Sequence, residues 1–193
     1  MAAGMWLAAV LGFGTQHPWY SHLQYPVAVL GAAGVPSALA FNLTGFVLPG
    51  MLAGVMAILL RLQLPQPESL AVKIGAQLLF LSALGFIAMG VFVLDPQRTV
   101  GGSTQYHATA WVLWWLTFLA GSWLLALGLM DQAGWPRLMW TGAALSTVMV
   151  VLAVIPAGTL APGLAQHLAF SCWLAWLAVA SLWTPIVPSR RRR

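Results

Sequence analysis

The chain has 193 residues, 61% of them hydrophobic and only 6% charged. A soluble domain carries about a quarter charged residues, so this chain cannot cover a water-facing surface and its solvent must be largely lipid. The formal charge of +5 does not indicate nucleic acid, because four of the eight basic residues are the terminal run Arg190, Arg191, Arg192 and Arg193 and the rest stand singly between apolar stretches.

The apolar stretches are long and continuous, unlike the short alternating segments of a membrane barrel, so the fold class expected is an all-α polytopic bundle of about six spans. A first apolar run, 1–13, falls short of the roughly 20 residues a spanning helix needs. It reads as a short first helix rather than a signal peptide, since no Lys or Arg precedes it. The first outer loop follows, with Trp19 and Tyr20 as interfacial aromatics and with His17 and His22.

The second span is 41–60. Within it Gly50 and Gly54 form a small-xxx-small pair that lets a neighbouring helix approach. Pro49 cannot donate to the carbonyl of Gly45, which predicts a kink. Asn42 and Thr44, a turn or so outward, are placed to satisfy freed groups or line a cavity. The remaining spans are 74–94, 108–130, 138–155 and 164–187, and 188–193 is a basic tail. Cys172, the single cysteine, lies inside the last span, which excludes an intrachain disulfide and a CxxC redox pair. The deep tryptophans Trp114, Trp115, Trp123, Trp173 and Trp176 read first as bulky packing, although each N–H wants a partner.

Loop charges orient the bundle. With six spans, Arg61, Lys73, Arg137 and the terminal arginines fall on one side and only Arg98 on the other, the positive-inside pattern. Both termini are therefore expected in the cytoplasm, with the arginine run meeting anionic headgroups at roughly 1 kcal/mol per residue. All four histidines then lie at the non-cytoplasmic face. His107 opens the fourth span, His167 opens the sixth, and Asp95, the one outer acidic residue, ends the third. A thin repeat adds to this: Asp95-Pro96 precedes His107 by the spacing at which Ile155-Pro156 precedes His167, which puts the two histidines at similar depth.

Imidazole and carboxylate at one level can bind a divalent metal, move protons or contact a substrate. Closely spaced zinc ligands such as HExxH or CxxC are absent. Haem would need two axial ligands on facing helices, which His107 and His167 offer in principle. Ser21 and Ser37 have no GxSxG context for a hydrolase, and no phosphate-binding loop is present.

The runs Pro18-Trp-Tyr-Ser-His-Leu23, Pro26-Val-Ala-Val-Leu-Gly31, Ala32-Ala-Gly-Val-Pro36 and Phe41-Asn-Leu-Thr-Gly-Phe-Val-Leu-Pro-Gly50 resemble a bacterial family called domain of unknown function nine-nine-eight. Asp95-Pro96 and His107 match that family's end of the third helix and start of the fourth. The resemblance runs from Trp19 onward. Val27-Ala28 stands where the family usually has Ile-Ser, and the first helix is shorter than usual. It implies six helices in a bacterial inner membrane and carries no activity.

The leading functional expectation is a non-enzymatic membrane protein that binds a lipid or other small amphipathic molecule near its outer face. Tyr20, His22, Asn42, Asp95 and His107 would form the polar lining, with His167 beside them. The alternatives are an intramembrane enzyme in which Asp95, His107 and His167 hold a metal or haem, and a structural subunit that docks through its outer loops.

Overall fold

The computed structural model describes residues 1–98, 101–155 and 158–183. Six helices follow one another: α1 (Ala2–Gln16), α2 (Ala38–Gln63), α3 (Leu70–Val91), α4 (Gly102–Gly128), α5 (Pro136–Val154) and α6 (Pro162–Leu182). The last five are long and apolar enough to cross a membrane. The 15 residues of α1 rise only about 22 Å, short of a hydrocarbon core about 30 Å thick. The chain is thus a multi-pass membrane protein. Short connections make neighbouring helices antiparallel, and α1 packs against α2 and α6. The terminal arginines and residues 184–187 of the last predicted span lie outside the described residues.

Helix ends depart from the apolar runs where local chemistry overrides hydropathy. The third span was expected to reach Leu94, but α3 stops at Val91. The residue before a proline disfavours helix, and Asp95-Pro96 turns the chain outward through a bond from the Gln97 N–H to Asp95 Oδ1. The fourth helix starts six residues before Ala108, at Gly102, because Gly101 adopts φ 81° and the polar run Ser103–Gln105 winds into its first turns. Pro136 and Pro162 occupy first-turn positions that need no N–H. Ser69 caps α3 by accepting from the Val72 N–H, and Arg61 pairs with Glu68 across the α2–α3 connection.

In α2 the carbonyl freed by Pro49 is handled by a π-helical turn over Leu43–Val47, immediately ahead of the proline. One widened turn accommodates the missing bond. Gly50 lies where α2 meets α3: a Cβ there would stand 2.6 Å from the Ile87 side chain and 3.3 Å from the Ala83 carbonyl oxygen. Gly54 faces the same helix with room to spare, its nearest neighbour being Phe80 at 3.6 Å.

The closest pairing is between α3 and α4. Cβ atoms built on Gly75 and Gly121 would come within 3.0 and 2.9 Å of each other's carbonyl oxygens, and one on Gly85 within 2.9 Å of the Trp114 backbone nitrogen. Backbones this near gain packing that side chains in lipid would not supply. Around this seam Phe86, Trp114, Phe170 and Trp173 form the aromatic centre, with Phe86 and Trp173 stacked at 4.4 Å. Trp114, Trp173 and Trp176 are therefore core residues, whereas Trp115 is half-buried and Trp123 is exposed, donating to Thr147 Oγ1 at 3.1 Å.

Candidate functional site

The segment 17–37 between α1 and α2 is folded by its own short-range bonds. The Tyr20 N–H donates to the His17 carbonyl, that of Tyr25 to the Ser21 carbonyl, and a 3-10 turn covers Val27–Gly31. Asn42, almost fully buried at the start of α2, donates from Nδ2 to the Gly31 carbonyl at 2.9 Å and pins that turn. Position 31 must be glycine for this approach, since a Cβ would overlap the Asn42 carboxamide.

The same segment then docks on the first turns of α6 at four points. The Leu164 N–H donates to the Leu23 carbonyl at 3.2 Å, satisfying one of the orphan donors of a helix start. The Val27 N–H donates to Gln166 Oε1. Gly163 lets the backbone carbonyls of His22 and Tyr25 lie against the helix, because a Cβ would sit 2.5 and 2.6 Å from them. His22 Nδ1 stands 3.2 Å from His167 Nε2.

Protons on this histidine pair can be assigned. His167 Nδ1 lies 2.6 Å from the Gly163 carbonyl oxygen, which can only accept, so Nδ1 carries the hydrogen. In the neutral ring Nε2 is then an acceptor, and His22 Nδ1–H donates to it. Tyr20 packs edge-on against His22 at 5.0 Å and Trp6 against His167 at 6.1 Å. Burial pushes the Tyr20 phenol up to about 12, so it stays protonated and points at the Tyr25 carbonyl.

His107 is placed otherwise. Its Nδ1 lies 2.9 Å from both the Met89 and the Phe92 carbonyl oxygens, so its one N–H is shared between the last carbonyls of α3. His107 and His167 each come five residues after the first residue of their helices, at Gly102 and Pro162. They do not meet, however; the path of touching rings between them runs through Phe46, Phe170 and Trp6. Asp95 joins neither: its carboxylate closes its own turn, while its backbone N–H and carbonyl bond Thr104 Oγ1. Among the described residues, no three His, Cys, Asp or Glu side chains gather as a metal site. Tyr20, His22 and His167 thus come together, whereas Asn42, Asp95 and His107 each serve a local backbone contact.

A recess of about 290 Å³ opens beside the docked loop, lined by Pro26, Trp111, Leu152, Ala153, Ile155, Leu160, Pro162, Ala165 and Gln166. Gln166 lines the recess, and its Nε2 has no protein partner among the described residues. A larger groove of about 480 Å³, between the first turn of α1 and the far ends of α2 and α6, is almost wholly apolar and far from these groups. Sequence reasoning passed over Gln166, although it is an uncharged polar residue beside His167 within an apolar span. His17, placed with the outer histidines but left out of the polar lining, is buried, and its Nε2 has no partner among the described residues.

No curated protein and no solved structure matches the chain. The family model described as protein of unknown function (DUF998) matches residues 1–183, from α1 to the end of α6. With the six-helix order and the Asp95-Pro96 turn ahead of His107 in place, the chain belongs to this family of uncharacterised membrane proteins.

Proposed function

We propose that the protein binds a small amphipathic molecule, a membrane lipid being the natural class, in the recess between α4, α5, α6 and the docked loop. The observation that carries this reading is the combination of a mostly apolar wall with the Gln166 carboxamide, whose NH₂ has no partner among the described residues. Ligand sites are mostly apolar, with a few placed polar groups that fix orientation. The recess volume of about 290 Å³ is near the lower end of the roughly 300–1,000 Å³ such sites span. Gln166 is held by Val27 through its carbonyl oxygen, which leaves the NH₂ to meet an ester or phosphate oxygen while Trp111, Leu152 and Leu160 take the apolar part.

The charge asymmetry, with Arg61, Lys73 and Arg137 at one end of the bundle and Arg98 at the other, favours a recess on the non-cytoplasmic side. The family resemblance favours a bacterial inner membrane. The arginine run then meets anionic headgroups at the cytoplasmic surface.

Two measurements test this. Lipid extracted from the purified protein is expected at about one molecule per chain. Ala153→Trp, which fills the recess without touching the Gln166–Val27 bond, is expected to lower retention at least tenfold, about 1.4 kcal/mol of binding. Equal retention by wild type and variant removes the reading. A fluorescent reporter fused after Arg193 is expected to be active and an exported phosphatase at the same point inactive; the reverse result would turn the recess toward the cytoplasm.

A further inference from the structure

We propose that His22 and His167 form a clip for a divalent transition-metal ion of the zinc class, which fastens the outer loop to α6. Zinc–imidazole distances are about 2.0–2.1 Å, so two nitrogens 3.2 Å apart subtend roughly 100° at a shared ion, close to the tetrahedral angle. To share an ion, each nitrogen's lone pair turns by about 40° from the line that joins the two nitrogens.

The surroundings suit a ligand. His167 Nδ1–H is tied to the Gly163 carbonyl, the outer contact that fixes tautomer and ring orientation in metal-binding histidines and leaves Nε2 with its lone pair outward. His22 reaches the binding form by carrying its hydrogen on Nε2 rather than Nδ1, with no net proton lost. Both residues are half-buried. Imidazole suits zinc, copper and nickel. Tyr20 stays protonated and bonded to the Tyr25 carbonyl, and Asp95 is engaged in its own turn, so the remaining positions fall to water or an exogenous ligand. This clip does not depend on the recess binding a lipid.

The test uses the full chain in detergent, with any affinity tag removed, and Zn²⁺ alone as probe. At pH 7.5 the unfolding midpoint of the wild type is expected to rise with the logarithm of Zn²⁺ concentration above Kd, by about 5–10 °C at a hundredfold excess. His22→Gln, a loop change that keeps a hydrogen-bonding side chain, is expected to abolish the rise, as is His167→Gln. His107→Gln and His17→Gln are expected to retain it. A wild type whose midpoint does not rise with Zn²⁺ overturns the proposal, and so does a rise that survives His22→Gln or disappears in His17→Gln. Should His167→Gln fail to fold, His22→Gln decides alone.

Discussion

Gly85→Ala is expected to lower the unfolding midpoint by about 2–12 °C, and Gly85→Val to deplete folded protein from the membrane, whereas Gly54→Ala should leave stability near that of the wild type. At Gly85 the added Cβ meets the Trp114 backbone, at 2.9 Å from N and 3.0 Å from Cα. Backbone cannot rotate away as a side-chain tip can, so α3 and α4 must part. Parting them strains the buried bond from Ser82 Oγ to the Trp114 carbonyl, now 2.9 Å, and opens the facing Gly75–Gly121 contact along the same seam. Overpacking of this kind costs about 1–3 kcal/mol, or roughly 2–4 °C per kcal/mol for a chain of this size. At Gly54 the nearest atoms are 3.6 Å or more away, and alanine is the better helix former by up to about 1 kcal/mol. Thermal unfolding of the three variants in one detergent decides it. A Gly85→Ala midpoint within a degree of wild type would mean the α3–α4 seam is looser than described.

His107→Leu is the second large effect, expected to destabilise by about 1–3 kcal/mol. The shape of the side chain is roughly kept, but the one N–H shared by the Met89 and Phe92 carbonyls is lost. Those carbonyls belong to the last turn of α3, where no intrahelical donor reaches them, and His107 supplies the donor from a neighbouring helix. His107→Gln, which retains an N–H donor, should recover part of the loss. The ordering wild type, then Gln, then Leu in unfolding midpoint is what a helix-capping role predicts. If His107→Leu unfolds at the wild-type temperature, that role is wrong, and the residue returns as a candidate for chemistry.

The two histidines that open α4 and α6 show how far the primary structure reached. Their common depth was legible from the spacing of Pro96 and Pro156 to His107 and His167, because helix rise converts sequence spacing into height. Their partners were not legible. His107 turns to α3 carbonyls and His167 to a loop histidine 145 positions away in sequence. Asn42 was expected at a cavity, but it holds the Gly31 carbonyl. That bond depends on the path of the 17–37 segment, which no periodicity encodes. The helix start at Gly102 was missed because its first turn carries Ser103, Thr104 and Gln105, which a search for apolar runs discards.

What the sequence determined by itself was the solvent and the long apolar spans. These follow from composition and length. Only the tertiary structure decided that His22 meets His167, that Gly75, Gly85 and Gly121 make the tightest seam, and that the recess lies beside Gln166. The reason is physical: an amphipathic helix in water marks its buried face with an apolar stripe, but in lipid these helices are apolar all round. The rotation of each about its own axis is then set by the contacts themselves, chiefly glycine-permitted backbone approach and the few hydrogen bonds that cross between helices and the outer loop.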